Sequence, residues 1–395
     1  MPFTYLTNLP LEQAEERYPA WLAEGGFQPK TETVPAAQSA GRVTARAVYA
    51  ALCAPHYPAC AMDGIAVAAA DTFGATETTP VALAPTQFTV VDTGDPLPEG
   101  KDAVVMIEDV LWEGEKAVLH EAAAPWQHIR QIGEDVCAGE MLLPAHTTIT
   151  PAASGAMIAG GVLAGEVFTR PGVGIIPTGD EVVPPTDHPR PGDVLEFNSS
   201  IFSAMIVEWG GTAKTYPIVK DNKADLTAAL TKATEECDLV ILNAGSSAGR
   251  EDYSAAVIGT VGEVLCHGLA IRPGKPAILG RSGPVPVLGV PGYPVSGILV
   301  LEHLLRPLIE SWTGKKAPAR EQAEAVLARR VVSGLKYREF VRVRLGQVGD
   351  KLVASPLARG AGVVSSFLKA DGILDIPQGK EGLEAGERVT VSLLR

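Results

Sequence analysis

The sequence predicts a multidomain protein of the α/β plus β class. From residue 173 onward, short apolar stretches typical of strands alternate with stretches typical of helices, which favours a parallel, doubly wound sheet covered by helices. Residues 43–125 are rich in Val, Thr and Ala with Gly and Pro between them, which indicates a small β-rich domain. After about residue 318 the helical pattern stops, and the remaining strands predict a small closed β-barrel. Four domains are expected. They are a helical and linking domain (residues 1–42 and 126–170), a β-rich domain (43–125), an α/β domain (171–317) and a C-terminal β-barrel (318–395).

Two helices are expected in the helical and linking domain. Residues 10–24 show the apolar spacing of an amphipathic helix, although Pro19 should interrupt or shorten it. Residues 150–165 predict a second helix, with Thr150 as its N-cap and Pro151 in its first turn. In the β-rich domain, the stretch 60-CAMDGIAV-67 carries the Asp-Gly signal of a hairpin, which leaves Asp63 as an ordinary turn residue.

The α/β domain should contain four strands, each followed by a helix. The strands are expected at 173–176, 215–219, 239–242 and 285–290, and the helices at 198–211, 224–237, within 251–262 and at 295–312. The first of these helices should open at Asn198 or Ser199 and end at two glycines, and Pro307 should kink the last. Sheets of this kind bind ligands at the carboxyl ends of their strands, so the loops there are the candidate site.

The composition argues against some classes of binding partner and indicates a cellular compartment. The chain has 46 acidic and 33 basic residues and a formal net charge of −13, which argues against a general nucleic-acid or membrane-surface partner. No apolar run approaches the roughly 20 residues of a membrane span, and the N-terminus lacks a signal-peptide pattern. The five cysteines form no CxxC pair, which fits reduced thiols and a cytoplasmic protein.

Two loops after predicted strands carry polar residues. In 177-PTGDEV-182, Thr178 and Gly179 can present backbone amides, while Asp180 and Glu181 are adjacent carboxylates. In 243-NAGSSAGREDY-253, small residues allow a phosphate to approach the backbone, although the loop is neither GxGxxG nor a Walker A sequence. The alternative for this Gly/Ser loop is an ordinary βα turn. The alternative for Asp252 is that its carboxylate stabilises the N-terminus of the following helix by about 0.3–1 kcal/mol.

A third loop, 271-IRPGKPA-277, places two cations on a stiff turn of an acidic protein. Pro273 and Pro276 restrict the backbone, and Gly274 allows a sharp turn, so Arg272 and Lys275 are held in place. A planar guanidinium and a compact ammonium suit a tetrahedral anion. The alternative is a solvated surface turn. A fourth loop, 291-PGYPVS-296, ends at Ser296, which can donate a hydrogen bond at the start of a helix.

Several motifs occur in one order along the chain. They are AMDG at 61–64, 93-TGDPLPEGKDAVVMIED-109, GEDV at 133–136, TGDE at 178–181, the Gly/Ser loop ending in Asp-Tyr at 252–253, RPGKP at 272–276 and PGYPVS at 291–296. With these motifs the chain resembles the molybdenum insertases, or molybdopterin molybdenumtransferases, over nearly its whole length. The resemblance implies an elongated helical and linking segment, a homodimer, and insertion of molybdate into adenylylated molybdopterin with release of AMP and the help of Mg²⁺. It also implies a contact with the adenylyltransferase of the same pathway.

The resemblance implies roles for individual residues. The catalytic residues would be Asp63, Glu181, Asp252 and Lys275. The pterin and phosphate would be bound by Thr93, Asp135, Thr178, Gly179, Asp221, Gly245, Ser246 and Ser247. The oxyanion would be bound by Arg272, Lys275 and Ser296, on loops shaped by Pro273, Gly274, Pro291 and Pro294. Magnesium would be held by Asp180, Glu181 and Asp252, since this hard cation prefers carboxylate and phosphate oxygens.

The chain departs from the family pattern at its loops. Arg272 stands where many members have Lys, Gly268 where some have Lys, Tyr293 replaces an Asn, and 243-NAGSSAG-249 differs from the usual Gly/Ser loop. Three alternatives therefore stay open: a paralogue that handles tungstate, a scaffold that binds pterin or oxyanion without turnover, and an unrelated phosphate-sugar or nucleotide enzyme. The acidic cluster disfavours the scaffold, and the barrel and AMDG segment disfavour the unrelated enzyme.

Overall fold

The computed structural model describes residues 8–244, 253–315 and 319–394, and the chain divides into two compact units. One unit is Thr31–Phe168, and the other joins Met1–Lys30 to Thr169–Arg395. The proposed boundaries of four domains stay a prediction. None of the helices in the described ranges is long and apolar enough to cross a membrane.

The N-terminal helix α1, Leu11–Glu24, contains Pro19 in its interior without a break. The prediction that this proline interrupts or shortens the helix is wrong. Tyr18 and Leu22 are fully buried, and the Tyr18 hydroxyl donates a hydrogen bond to the carbonyl oxygen of Gly280 at 2.8 Å. This packing offsets the roughly 3 kcal/mol that an interior proline costs a helix.

The unit Thr31–Phe168 consists of short strands and one α-helix. Its strands are β1 Thr31–Pro35, β2 Val48–Tyr49, β3 Ala59–Cys60, β4 Gly64–Val67, β5 Val81–Leu83, β6 Phe88–Val91, β7 Ala103–Met106, β8 Val110–Glu113, β9 Lys116–Leu119, β10 Ile129–Arg130, β11 Met141–Leu143 and β12 Ala164–Phe168. Two antiparallel three-stranded sheets, β6-β4-β7 and β5-β9-β8, lie within residues 64–119 and confirm a β-rich segment. The pairs β1–β12, β2–β11 and β3–β10 complete the unit.

The helix of this unit, α2 Pro151–Ala159, begins where the sequence predicts. The Thr150 Oγ1 accepts a hydrogen bond from the backbone N–H of Ala153 at 3.1 Å. The helix ends six residues before the predicted limit of residue 165, because Gly160 and Gly161 follow and Gly161 has a φ of +77°. The glycines end the helix, and the chain continues into β12.

The hairpin predicted at Asp63-Gly64 does not form. Strand β4 pairs with β6 and β7, while β3 pairs with β10. Gly64 is needed for a different reason, since a Cβ there would lie 1.9 Å from the carbonyl oxygen of Val105 on the neighbouring strand. A glycine inside a strand often marks such a close backbone approach.

The second unit is built on a six-stranded sheet. The strands from residue 172 to 291 are β13 Gly172–Pro177, β14 Val182–Val183, β15 Val194–Leu195, β16 Thr212–Thr215, β17 Leu239–Ala244, β18 Glu263–His267, β19 Ile271–Arg272, β20 Ile278–Ser282 and β21 Val285–Pro291. The helices are α3 Asn198–Glu208, α4 Lys223–Glu236, α5 Ser254–Val261, α6 Pro294–Val300 and α7 Arg306–Thr313. The sheet order is β16-β13-β17-β21-β20-β18, with the first four strands parallel.

Side chains of the central strands alternate between two apolar cores. Leu239 and Ile241 of β17 pack in a cluster with residues of α1, α3 and α7, whereas Val240 and Leu242 pack with residues of α4 and α5. Both faces of the sheet are therefore covered by helices, which confirms the doubly wound prediction.

Three local predictions in this sheet need correction. The strand expected at 215–219 is β16, Thr212–Thr215, and Pro217 beyond it has no N–H to donate. Helix α3 is not capped by Asn198 or Ser199; instead the Glu196 carboxylate accepts a hydrogen bond from the N–H of Ser199 at 2.9 Å. In place of one long helix kinked at Pro307, a π-helical turn, Leu301–Leu305, separates α6 from α7, and Pro307 lies in the first turn of α7.

The C-terminal strands close into the predicted barrel. They are β22 Gln322–Leu327, β23 Val331–Val332, β24 Arg338–Val348, β25 Lys351–Pro356, β26 Gly372–Ile376, β27 Gly382–Leu383 and β28 Arg388–Leu393, with helix α8 Ser365–Lys369 between β25 and β26. The order β24-β25-β22-β28-β26 returns to β24, which closes a five-stranded barrel. Strand β19 pairs in parallel with β24, so the RPGKP loop leaves directly from the barrel edge.

Candidate functional site

The order in which the chain adds strands to the sheet changes direction between β13 and β17. The chain passes from β13 to β16 on one side and then returns to β17 on the other side of β13. Beyond the carboxyl ends of two such strands, the following loops separate and leave a crevice. Thr178 follows β13 and Asn243 lies near the end of β17, so both residues stand at this point.

Buried oxygen atoms at this edge have no hydrogen-bond partner among the described residues. They are the Oγ1 of Thr178, the Oδ1 of Asn243, the Oδ1 of Asn198 and the Oγ of Ser199. Asn198 belongs to the same edge, because its Nδ2 donates to the carbonyl oxygen of Gly292, just after β21, at 2.7 Å. Buried polar atoms in folded proteins are nearly always hydrogen-bonded, so these four atoms need partners from outside the described residues.

The backbone amides of the first loop are already engaged. The N–H of Thr178 donates to the carbonyl oxygen of Asn243 at 2.9 Å, and that of Gly179 donates to the carbonyl oxygen of Val219 at 3.1 Å. The expectation that these amides are presented to a ligand is therefore wrong. They continue the hydrogen-bond ladder of the sheet on its two sides, so the Thr178 hydroxyl is the group left to act.

The carboxylates of the loop after β13 are exposed. Asp180 and Glu181 are both exposed, and the Oδ1 of Asp180 accepts a hydrogen bond from the N–H of Asp221 at 3.3 Å. Lys220 donates from its Nζ to the carbonyl oxygen of Asp180 at 2.6 Å. The structure thus brings together Asp180 and Asp221, which the family resemblance assigns to one cleft.

Of the three predicted magnesium ligands, Asp180 and Glu181 are described, whereas Asp252 lies outside the described residues. The predicted pterin- and phosphate-binding residues Gly245, Ser246 and Ser247 also lie outside them. Within the described ranges, no group of three or more His, Cys, Asp or Glu side chains could hold a metal ion. Magnesium is commonly held by only one or two carboxylates together with substrate phosphates, and the exposed pair Asp180 and Glu181 fits that donor set.

The RPGKP loop presents its cations on an aromatic platform. The Cζ of Arg272 lies 4.0 Å from the ring centroid of Tyr337, and the Nζ of Lys275 lies 5.6 Å from it. The pKa of Tyr337 is lowered, chiefly because Lys275 hydrogen-bonds to its hydroxyl, with a smaller effect from Arg272. Neither cation forms an ion pair with a carboxylate in the described part of the chain.

Packing holds the turn itself in place. Gly274 has a φ of +117°, and a Cβ there would lie 2.7 Å from the Cδ1 of Ile271 and 3.1 Å from the Cγ2 of Val300. The Arg272–Pro273 peptide bond is cis. Glycine is therefore required at position 274 by its positive φ and by the lack of room for a Cβ, as the sequence predicts for a sharp turn.

The PGYPVS loop packs against the end of the barrel. Pro291 and Pro294 are buried, the N–H of Val295 donates to the carbonyl oxygen of Ala361 at 3.1 Å, and Tyr293 is exposed. Ser296, predicted to bind the oxyanion, is only 4% exposed in the first turn of α6.

Three residues of this region, Tyr337, Asn243 and Asn198, were not predicted from the sequence to belong to the site. Asn243 is the single polar residue of β17, and its position near the end of that apolar strand was the available signal for it. Tyr337 precedes β24 of the barrel, and no local pattern connects it with a loop more than sixty residues earlier.

Within the unit Thr31–Phe168, Asp63 and Thr93 are in direct contact. The Oδ1 of Asp63 accepts hydrogen bonds from the Oγ1 of Thr93 at 2.7 Å and from its N–H at 2.6 Å. These bonds lower the pKa of the exposed Asp63, chiefly through the Thr93 hydroxyl. Asp135 lies in another loop of this unit, where its N–H donates to the carbonyl oxygen of Ala54 at 3.0 Å.

Replacing Thr93 with valine is expected to raise the pKa of Asp63 toward its ordinary 3.8, because the hydroxyl donor is lost. The folded-state pKa is depressed, so the stabilisation by this contact is present above pH 3.8 and disappears as the pH falls through the folded-state pKa. Carboxyl-detected NMR titration measures the shift, with Thr93→Ser as the control that keeps the hydroxyl. An unchanged Asp63 pKa in Thr93→Val would show that the backbone N–H alone sets it.

Comparison with known proteins places these features in a family. Family models match in three segments: MoeA N-terminal region (domain I and II) over residues 9–161, probable molybdopterin binding domain over 174–311, and MoeA C-terminal region (domain IV) over 324–394. The molybdopterin molybdenumtransferase 2 of Mycobacterium tuberculosis is 31% identical over 91% of this chain and 94% of its own length. The molybdopterin molybdenumtransferase of Bacillus subtilis is 29% identical over 98% of this chain and 95% of its own.

A solved structure agrees with the sequence matches. The crystal structure of a molybdopterin biosynthesis MoeA protein from Pyrococcus horikoshii is similar to this chain with a TM-score of 0.78 and 32% identity, over 98% of this chain and 99% of that one. These matches confirm the resemblance drawn from the motifs. The chain therefore belongs to the MoeA family.

Proposed function

We propose that this protein is a molybdopterin molybdenumtransferase, which inserts molybdate into adenylylated molybdopterin and releases AMP with the help of Mg²⁺. The observation that carries the proposal is the group of four buried oxygens at the carboxyl edge of the sheet that have no hydrogen-bond partner in the described part of the chain. The two amide oxygens, of Asn198 and Asn243, can only accept hydrogen bonds, so the ligand must bring N–H or O–H donors. A pterin ring carries such donors along its edge and supports the proposal.

The exposed carboxylates would serve the phosphate end of the same substrate. Asp180 and Glu181 would hold Mg²⁺ together with phosphate oxygens, and the bound ion would neutralise the charge of the diphosphate as its P–O–P link breaks. The N–H of Asp221 holds the Asp180 carboxylate in place. Lys220 fixes the backbone of the same loop through the carbonyl oxygen of Asp180. The loop is therefore organised before the substrate arrives, which lowers the entropic cost of binding.

Arg272 and Lys275 would hold the incoming oxyanion. Both cations lack a carboxylate partner in the described residues, and Tyr337 fixes their direction through its ring and its hydroxyl. A charged group without a counter-ion on a stiff loop is ready to bind a tetrahedral dianion. Tungstate has the same charge and shape as molybdate, so the same pair would accept it.

Replacing Asn243 with leucine, an apolar residue of similar size, tests the pterin site. We expect the Kd for adenylylated molybdopterin to rise about tenfold, since a lost hydrogen bond worth about 1.4 kcal/mol corresponds to that factor. Thermal stability should not fall, because the variant also removes an unpartnered buried oxygen. The measurements are equilibrium binding and thermal unfolding.

The matched control is Asn222→Ala, which removes the N-cap of α4, where the Asn222 Oδ1 accepts a hydrogen bond from the N–H of Asp225 at 2.8 Å. That variant should lose about 1 kcal/mol of stability and keep its pterin affinity. Wild-type affinity in a folded Asn243→Leu would contradict the assignment of the pterin to this edge.

We also propose that the chain works as a cytoplasmic homodimer and receives its substrate from the adenylyltransferase of the same pathway. The resemblance to the insertases supports the dimer and the donor enzyme, and the five free cysteines support a reducing compartment. Light scattering on the purified protein tests the dimer, because a species of 41.3 kDa at micromolar concentration would contradict it.

A further inference from the structure

Two cysteines face each other across a short antiparallel bridge in the unit Thr31–Phe168. Ala54 and Val136 form the bridge and exchange both backbone hydrogen bonds, at 2.8 and 3.2 Å. Cys53 precedes the first of these residues and Cys137 follows the second, so they occupy the next opposed pair. In antiparallel strands the pair beside a doubly hydrogen-bonded one has Cα atoms about 4.5 Å apart, within the range of about 4.4–6.8 Å found in disulfides.

The two sulfur atoms point toward the same small space. A Cβ on Gly133 would lie 2.9 Å from the Sγ of Cys137 and 3.6 Å from the Sγ of Cys53. Gly133 has a φ of +73°, so its backbone conformation also favours the residue without a side chain. The two sulfurs therefore flank one point that the glycine leaves free.

Accessibility and hydrogen bonding suit an exchange reaction at this pair. Cys137 is exposed and Cys53 is half-buried. The N–H of Ala138 donates to the Sγ of Cys53 at 3.3 Å, and the thiol of Cys137 donates to the carbonyl oxygen of Gly133 at 3.3 Å. An exposed thiol beside a resolving thiol is the usual arrangement of a reversible redox pair.

We propose that Cys53 and Cys137 form a reversible disulfide that fixes the loop carrying Asp135. With oxidised glutathione as the oxidant, the Cys137 thiolate attacks one glutathione sulfur and releases one glutathione. The Cys53 thiolate then attacks the Cys137 sulfur of the mixed disulfide and releases the second glutathione. Two thiols lose two electrons in total, and their protons leave on the two glutathione molecules.

The bond would fasten a loop that backbone hydrogen bonds already hold. The N–H of Gly133 donates to the carbonyl oxygen of Pro55, and the N–H of Asp135 donates to that of Ala54, both at 3.0 Å. A covalent link between the flanking residues would suppress opening of this loop. An effect on catalysis through Asp135 rests on the proposed function, whereas formation of the bond does not.

Oxidation of the purified full-length protein with glutathione disulfide tests the proposal. We expect the number of alkylatable thiols to fall by two from the five of the reduced chain. A non-reduced digest should contain a peptide pair linking Cys53 to Cys137, and amide exchange at residues 133–138 should slow at least tenfold and recover on reduction. Cys53→Ser should lose the link, while Cys237→Ser, a half-buried cysteine elsewhere, should keep it.

Three results would overturn the proposal: five alkylatable thiols after oxidation, a stable glutathione adduct on Cys137 of the wild type, or a link without slower exchange in the loop. If Cys53→Ser does not fold, the peptide link and the exchange rates of the wild type decide the question on their own. The thiol count, the linked peptides and the amide exchange are all measured without AMP release. A failure of the proposed function can therefore be told apart from a failure of this inference.

Discussion

Lys275→Ala is expected to raise the half-saturating molybdate concentration about 10–100-fold, because a charge-assisted hydrogen bond is worth roughly 1.5–3 kcal/mol. Lys275 carries no carboxylate partner in the described residues and lies on a turn that Gly274 and its neighbours keep in one conformation. Pterin affinity should stay close to that of the wild type, since the buried oxygens proposed to bind the pterin lie on β17, on α3 and in the loop after β13, outside the RPGKP turn. Higher ionic strength should reproduce part of the loss, because salt screens a partly open anion site.

The control for this variant is Lys232→Ala, an exposed lysine on α4. This variant should leave the dependence of the rate on molybdate concentration and on pterin concentration unchanged. Steady-state rates measured across molybdate, tungstate and pterin concentrations separate the two kinds of binding. If Lys275→Ala loses pterin affinity and keeps its oxyanion dependence, the turn binds the pterin phosphate instead.

Glu181→Gln is expected to lower turnover at saturating oxyanion at least about tenfold, which corresponds to about 1.4 kcal/mol of barrier. The neutral amide keeps the size of the side chain and removes the charge that would attract Mg²⁺. The variant should also need a higher Mg²⁺ concentration for half-maximal rate, while its half-saturating molybdate concentration changes little. This pattern is the reverse of that expected for Lys275→Ala.

Glu181 is exposed on a loop, so the folded state should tolerate the change. Glu235→Gln, an exposed carboxylate on α4, is the matched control and should leave turnover and the Mg²⁺ requirement unchanged. Wild-type turnover in folded Glu181→Gln would remove this carboxylate from the catalytic machinery and leave Asp180 as the described candidate for the metal.

The sequence was sufficient for the sheet and the barrel because their signals are local. A run such as Leu239–Leu242, apolar at every position, is buried on both faces of a parallel sheet, and the structure has it so. The hairpin signal at Asp63-Gly64 failed because Gly64 is required by a neighbouring strand and not by a turn. Pro19 failed as a helix breaker because packing around Tyr18 outweighs the local cost.

The site was only partly predictable because its parts meet through tertiary contacts. Asp180, Arg272 and Lys275 stand out in the sequence as charges on Gly- and Pro-containing loops. The platform under the cations, Tyr337, comes from the barrel and is brought to the turn by the pairing of β19 with β24. Likewise, the engagement of the Thr178 and Gly179 amides depends on pairing across the sheet, which no local pattern reveals.

The most direct test of the account is AMP release by the purified protein incubated with adenylylated molybdopterin, Mg²⁺ and molybdate or tungstate. We expect AMP to appear only when an oxyanion and Mg²⁺ are both present, and removal of Mg²⁺ with a chelator to stop it. AMP should be measured chromatographically against Lys275→Ala and Glu181→Gln in parallel. AMP release that is equally fast without any oxyanion, or binding of the pterin with no release under any condition, would contradict it.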